Sequence, residues 1–348
     1  MKKYQLVDVY GNDFHAGSKA TNDCVDILSS INFEICALRG TTNTYSVTDK
    51  IKRHIDYVKN FKEIYDNVEE NSVMVLQNPF KYFQLSRYTT LKKLKNKKNV
   101  KFISIVHDVN LIRESWQDSK TEKEFKEMLE ISDKFIVHNE KMKQWFIDYG
   151  IEENRLVELE IFDYLNSDSP DKKIEFSKRV QLAGNLWIYK SPYIYKLKEV
   201  SGVEFDLFGV EFESSIEQNN VVYHGAFPAE EVPMQLNKGF GLVWDGSSVD
   251  TCDGDTGKYL RYNNPHKLSL YLSSALPVII WDQAAEADFV KKHNVGIVVS
   301  SLHELKEKFD NLSKEEYYQM VENARGIQEK LQSGYYLKKA INKAIESI

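Results

Sequence analysis

The sequence predicts an α/β protein built from two Rossmann-like domains. Three observations carry this. Short β-branched or apolar runs alternate with longer helical segments along almost the whole chain. One polar stretch, FDYLNSDSPDKKIEF at residues 162–176, interrupts the alternation, which then restarts. At 348 residues the chain is long for one open-sheet domain and comfortable for two, each able to bury its own core.

In the first half, strands are expected at 4–10, 33–38, 72–76, 101–106, 134–137 and 155–159. Helical spacing falls between them, at 18–30, 47–67, 85–96, 122–131 and 140–149. Apolar strands separated by helices predict a parallel sheet covered on both faces. Right-handed crossovers then gather the strand C-termini along one edge, where ligands bind. The Ser, Asp, Pro and Lys of 162–176 suit a linker. Beyond it, strands are expected at 180–183, 204–208, 221–223, 241–244, 277–280 and 296–299, with helices including 266–275 and 284–293. Two more helical segments, 314–332 and 335–348, are separated by Ser333-Gly334. The expected organisation is a domain over 1–161, a linker over 162–176, a second domain over 177–332, and a C-terminal helix over 333–348 that packs back on the first domain.

Composition narrows the function. Hydrophobic residues make up 42% and charged residues 28%, as in soluble globular proteins. A net charge of −6 does not supply the broad basic field of a nucleic-acid-coating protein, so no nucleic-acid partner is expected. The run KKLKNKK at 92–98 reads either as the cationic C-terminal end of a helix or as a peripheral contact with anionic lipid. Cys24, Cys36 and Cys252 form neither a CxxC pair nor an even framework, and read as reduced thiols. The N-terminal residues lack an uninterrupted apolar segment, and no run approaches the length of a membrane span. A cytoplasmic location is expected.

Candidate site residues cluster at strand ends. After the first strand, Gly17 and Ser18 stand at a helix start, where backbone N–H groups can meet an anion or a plain N-cap can form. The fourth strand is followed by His107-Asp108, two groups able to exchange or stabilise a proton, or to close the next loop by hydrogen bonding. In the second half, RVQLAGN places Arg179 on a strand that ends in Gly184-Asn185. A glycine there lets a ligand approach the backbone, and the guanidinium offers a planar fork to a diphosphate. The next strand ends in Phe208-Gly209, and the third is followed by Tyr223-His224-Gly225. The stretch SSVDTCDGDTGKYLRY then reads as a long functional loop. It leads to Asn263-Asn264-Pro265-His266-Lys267, an Asn-capped, Pro-started helix whose N-terminus and lysine form an anion site. Tyr271 lies one turn on, at core-facing spacing.

The combination AGNL, FG, HGAF, NNPHKLSLYLSSALPVI and NVGIVV resembles the C-terminal half of GT-B glycosyltransferases. More narrowly, the whole chain resembles the accessory glucosyltransferases that extend the sugar on serine-rich-repeat adhesins, relatives of galactofuranosyltransferase-like enzymes. The resemblance implies a GT-B fold, two Rossmann-like domains facing across a cleft. It implies transfer of glucose or N-acetylglucosamine from a UDP-sugar, a co-substrate held mainly by the second half, to a glycan acceptor held mainly by the first. That acceptor would be N-acetylglucosamine on a serine-rich-repeat glycoprotein. Arg179 and Lys267 would meet the diphosphate, Gly184 and Asn185 would line the donor site, Asn263, Asn264 and Tyr271 would surround nucleotide or phosphate, and Gly17 and Ser18 would face the donor sugar. A homo-oligomer is the expected assembly.

One departure stands out. Many retaining GT-B enzymes carry two glutamates eight positions apart before the Pro-Val strand, and Tyr262 and Leu270 occupy those places here. Stereochemistry stays open, and the alternative of a noncatalytic partner subunit of a glycosyltransferase complex stays beside the enzymatic reading. No metal or other cofactor is expected, because a helix dipole and cations neutralise the diphosphate. Asp253-Gly254-Asp255 is a loop signal, and there is no HExxH, P-loop or GxSxG.

Overall fold

A computed structural model describes residues 1–9, 16–39, 46–80, 83–113, 117–166, 172–213, 215 and 219–348, without the side chains of 9 and 16–18. The chain divides into two compact units. Met1–His138, Lys143–Leu159 and Leu337–Ile348 form the first; Asn139–Met142 and Glu160–Tyr336 form the second.

The first unit runs β1 (Lys3–Val9), α1 (Ala16–Ser30), β2 (Glu34–Arg39), α2 (Val47–Asn67), β3 (Val73–Asn78), α3 (Arg87–Lys98), β4 (Lys101–Val106), α4 (Ser119–Ile131), β5 (Lys134–Val137), α5 (Glu140–Asp148) and β6 (Leu156–Glu158). All strands are parallel, in the order β2-β1-β3-β4-β5-β6. The strands are apolar because both faces are covered: Met74, Leu76 and Phe102 are wholly or almost wholly buried against Phe61, Leu91 and Leu94. Helix starts follow local chemistry. Ser46 and Asp49 close a capping box on α2, and the Asp118 carboxylate caps α4 by accepting from the Thr121 N–H at 2.7 Å.

The second unit runs β7 (Glu175–Asn185), β8 (Glu204–Val210), β9 (Val221–Tyr223), α6 (Val232–Gln235), β10 (Lys238–Val243), α7 (Gly254–Tyr259), α8 (His266–Ser273), β11 (Val278–Trp281), α9 (Ala287–His293), β12 (Gly296–Val299), α10 (Leu305–Asp310) and α11 (Lys314–Ser333). A 3₁₀ segment at Pro192–Glu199 joins β7 to β8. The order is β12-β11-β10-β7-β8-β9, again parallel. Gly334, at φ +70°, ends α11 in the left-handed region, and α12 (Tyr335–Glu346) follows.

Three expectations change. β7 begins at Glu175, so the last residues of the expected linker are already strand. The long loop after β10 contains α7, a short helix without the apolar periodicity by which helices are read from sequence. Three of the five lysines of the basic run at 92–98 are engaged inside their own unit: Lys92 pairs with Glu130 at 2.6 Å, Lys95 donates to the Ile131 carbonyl at 2.6 Å, and Lys98 donates to the carbonyls of Tyr65 and Val68 at 2.6 and 2.7 Å. Those three cations knit α3 to its neighbours, while Lys93 and Lys97 stay exposed.

Candidate active site

In each sheet the strand order reverses once, and doubly wound sheets bind ligands at the C-terminal ends flanking that point. In the second unit the reversal lies between β7 and β10. Gly184 and Asn185 arrive there from β7, Asp245 from the residues after β10, and Lys267 from the first turn of α8. Gly184 adopts φ +139°, and a Cβ on it would stand 3.3 Å from Lys267 Cε. The lysine therefore lies over the strand end. Among the described residues no carboxylate forms an ion pair with it. Burial pushes its ammonium below the usual lysine range; Asp245 opposes the shift and the exposed Lys190 adds to it. The residue before α8 is Pro265, which offers no side-chain cap, so the helix dipole at this end is not answered by a protein acceptor side chain. The Lys267 ammonium and an uncapped helix start meet at one glycine-bearing strand end.

The neighbouring strand ends are closely fitted. A Cβ on Gly209, at φ +158°, would lie 1.7 Å from the Gly184 carbonyl oxygen. Gly209 donates its N–H to the Gly225 carbonyl at 2.9 Å and accepts from the Tyr223 hydroxyl at 2.8 Å. Phe208 is buried and stacks on His224, with ring centroids 4.7 Å apart. Asn185 donates to Glu211 at 2.9 Å and accepts from the Trp187 N–H at 2.8 Å. Trp187 and Tyr189, both exposed, meet edge to face beside it. After β10, Asp253 accepts from the Ser247 N–H and hydroxyl at 2.5 and 2.8 Å, while Trp244 Nε1 donates to the Ser248 carbonyl at 2.9 Å. The start of the expected functional loop is thus held by its own side chains. With Asp253 bound to Ser247, no group of three metal-ligating side chains occurs among the described residues.

Two expected contacts are redirected. Arg179 sits six residues before the end of β7, where its Nε and Nη2 each donate to Asp206 at 2.8 Å, and it also pairs with Glu204. Burial pushes Asp206 up, but Arg179 and His224 more than offset it and hold the carboxyl below the usual range. This guanidinium neutralises a buried carboxylate away from the ligand edge. Tyr271 is fully buried: its ring fills the space a Cβ on Gly241 would take, and its hydroxyl oxygen accepts from the Ala183 N–H at 2.9 Å. It supports the strand end from beneath. Asn264 is buried and donates to the Glu160 carbonyl at 3.1 Å, and His266 lies against the rings of Phe162 and Tyr164. Asn263 keeps a buried side-chain carbonyl that has no hydrogen-bond partner among the described residues.

The first unit carries a different set at its edge. His107 directly follows β4 and shares a 2.7 Å hydrogen bond with the Gln77 side-chain carbonyl. Burial holds its imidazole down at about 4, so it is neutral at pH 7. Asp108 pairs with Arg113 at 2.9 Å. His138, buried, donates from Nε2 to the Val106 carbonyl at 2.8 Å and is lowered to about 3 by burial and by His107. Asp108 also lines a pocket with Asn110, Phe80, Tyr88 and Phe125, between α3 and α4. Gly17 and Ser18 fall in the first turn of α1, but their side chains lie outside the described residues.

Comparison with known proteins decides the family. Residues 3–161 match the glucosyltransferase 3-like N-terminal domain and residues 180–344 the corresponding C-terminal domain. A β-1,6-galactofuranosyltransferase, WbbI of Escherichia coli K12, is 33% identical over 99% of both chains. The chain belongs to the glucosyltransferase 3-like family. Glucosyltransferase 3 of Streptococcus gordonii is 30% identical over 65% of each chain. Among solved structures, HepE of Anabaena with UDP and glucose aligns at TM-score 0.60 and 9% identity, covering 99% of this chain and 100% of that one. A Rickettsia africae glycosyltransferase aligns at TM-score 0.62 and 13% identity, covering 100% and 99%. The fold is that of the GT-B glycosyltransferases, and this family member is a glycosyltransferase.

Within that family frame, sequence reasoning singled out Gly184, Asn185, Gly209 and Lys267, which the second sheet brings to one edge. It missed Lys190, Asp245, Trp187, Tyr189 and Glu286. The first four follow a strand end within a few residues, and that position was the available signal. Glu286 left no such trace. It is 2% exposed after β11, accepts from Asn139 Nδ2 at 2.8 Å, and burial raises its carboxyl to about 8. The same amide donates to the Tyr262 carbonyl at 3.1 Å, just before the α8 approach.

Proposed function

We propose that this enzyme transfers a hexosyl group from a UDP-sugar to a glycan acceptor, with the donor diphosphate over Gly184 between Lys267, Lys190 and the start of α8. The observation that carries the reading is the position of Lys267: a partly buried ammonium with no described ion-pair partner, lying on a glycine strand end beside an uncapped helix. Two positive contributions at one place raise the energy of the empty site and lower that of an anion bound there. As the glycosidic bond breaks, negative charge grows on the leaving UDP. The same groups then stabilise the transition state more than the ground state. Asn263 Oδ1 offers an acceptor to a nucleotide or ribose donor group, and Trp187 and Tyr189 offer exposed ring faces. Arg179 and Tyr271 hold the strands that present the site.

The acceptor is assigned to the first unit, at His107 and Asp108 and the adjoining pocket. If the transfer inverts, the Asp108 carboxylate takes the proton of the acceptor hydroxyl, and the neutral imidazole of His107, whose protonation burial opposes, orients that hydroxyl by hydrogen bonding. Glucose, N-acetylglucosamine and galactofuranose are the donor sugars to compare, the last because of the relative from Escherichia coli. N-acetylglucosamine on a serine-rich-repeat glycoprotein remains the proposed acceptor, on the resemblance carried by AGNL, HGAF and NNPHKLSLYLSSALPVI. The test is UDP release from each of the three UDP-sugars, with and without an acceptor ending in N-acetylglucosamine. Acceptor-stimulated release from one donor is expected; no turnover and no UDP binding by calorimetry would leave a noncatalytic partner as the better reading.

A further inference from the structure

We infer that the pocket between α3 and α4 reads an acetamido group on the acceptor sugar, through Asn110 and Glu124; this rests on the assignment of the acceptor to Asp108. Asn78, which ends β3, and Asp108, just after β4, both line the pocket, so it lies at the C-terminal edge of the first sheet. With its mouth it amounts to about 630 Å³, the scale of a small-molecule site. Its deep lining is aliphatic: Leu76, Leu91, Met128 and Ile131 are all buried. Two polar side chains share the pocket with them. Asn110 comes from a 3₁₀ turn at Asn110–Ile112, and Glu124 from the second turn of α4. Both are half-buried, and among the described residues neither side chain makes a hydrogen bond or an ion pair. The other charges of the pocket have partners. Asp108 pairs with Arg113 at 2.9 Å, and the Arg87 guanidinium lies 3.7 Å from Glu127 and 4.2 Å from the centre of the Phe80 ring.

This lining disfavours three kinds of ligand and fits a fourth. An anion would meet Asp108, Glu124 and Glu127, with only Arg87 among the lining residues to balance them. A purely apolar group would strip water from Asn110 and Glu124 without replacing their hydrogen bonds, which raises the energy of the complex. A sugar bearing only hydroxyls would leave the aliphatic lining without an apolar contact. An acetamido group answers every part of the lining. Its N–H donates to the Glu124 carboxylate, its carbonyl accepts from Asn110 Nδ2, and its methyl covers aliphatic surface. Because Asp108 lines the same pocket, a sugar held by its acetamido group keeps a ring hydroxyl beside that carboxylate.

The test is binding of three methyl glycosides to the full chain with UDP present, followed by NMR. The three carry an acetamido, a hydroxyl or a free amino group at one carbon of the same sugar, and a trifluoroacetamido analogue reports the methyl position by its fluorine resonance. The acetamido glycoside should bind about tenfold more tightly than the hydroxyl one. Glu124→Ala should abolish that preference with an unchanged melting temperature, since alanine suits a helix. Glu124→Gln, whose side-chain carbonyl still accepts, should restore most of it, and Asn110→Ala should lower it by about threefold. Equal binding of the acetamido and hydroxyl glycosides overturns the inference, and so does a preference that survives Glu124→Ala. Tighter binding of the free amine also overturns it, because Glu124 would then read charge. Binding needs no turnover, so the two readings separate: transfer without an acetamido preference strikes this inference alone, and a preference without transfer to any acceptor strikes the proposed function alone.

Discussion

The C-terminal edges of the two sheets use similar residue types in opposite electrical states. At the first, polar groups answer one another: Arg113 meets Asp108, Gln77 meets His107, and the two imidazoles are held neutral by burial. At the second, Lys267 lies against Gly184, burial and the charge of Lys190 disfavour its ammonium while Asp245 opposes them, and the helix start behind it has no side-chain cap. A neutral edge suits a sugar hydroxyl. An edge with uncompensated positive charge suits an anion. The difference teaches that the number of polar residues at a strand end says little, whereas the charge left unbalanced among them points to the ligand's chemistry.

The comparison can be broken or sharpened by substitution. The largest effect is expected at Gly209. A methyl group there would meet the Gly184 carbonyl oxygen at 1.7 Å, so Gly209→Ala should cost about 3–5 kcal/mol in urea unfolding and weaken UDP binding by displacing the strand end. Gly225→Ala is the matched control. Its φ is +94° but nothing lies within 4 Å, and only the backbone cost of about 1 kcal/mol is expected. Next comes Arg179→Ala, which leaves the 1%-exposed Asp206 short of its bidentate partner; about 2–4 kcal/mol of stability should be lost with UDP affinity unchanged. A loss of UDP affinity beyond the loss of fold would return Arg179 to the site.

Two smaller effects depend on pH. Glu286 is raised by burial from 4.5 to about 8, so its contribution to stability is fully present below 4.5 and is lost as pH rises through about 8. Glu286→Gln keeps an uncharged side chain and should be more stable than the parent at pH 9 by about 1–3 kcal/mol, with little difference at pH 5. His107 works in the other direction. Lowered from 6.5 to about 4, it contributes stability that is present above 6.5 and lost as pH falls toward 4. His107→Gln should flatten that acid slope in thermal melts, depress acceptor-dependent turnover, and leave UDP affinity within about twofold. A change in UDP affinity would show that the neutral edge also serves the donor.

Much of the fold was legible because periodicity is a local property of sequence. β4, β5, β9 and β12 begin and end where apolar runs do, and α2 spans the helical stretch that Ser46 and Asp49 announce. Elements set by tertiary contact were not legible: α7 is six residues long, and β7 extends well beyond its apolar segment, to Glu175. At the site, position on a strand end was readable but the partner of each side chain was not. Arg179 looks the same in sequence whether it faces a diphosphate or Asp206, and only the register of β7 on β8, which pairs Arg179 with Glu204 and Gln181 with Asp206, decides it. Tyr271 had the spacing of a core residue, and Gly241 supplies the space that its ring occupies. Glu286 was invisible because its burial and its bond to Asn139 join residues 147 positions apart.

The most direct measurement is the UDP affinity of Lys267→Ala by calorimetry, read beside its melting temperature. Loss of one charge-assisted phosphate contact, about 1.5–3 kcal/mol, corresponds to about a ten- to hundredfold weaker affinity. The melting temperature should hold or rise slightly, because the variant removes an ammonium that burial and Lys190 both disfavour at an uncapped helix start. That pair of results is what the account predicts. Unchanged UDP affinity with a raised melting temperature would contradict it, because Lys267 would then be an unfavourable charge that no ligand uses.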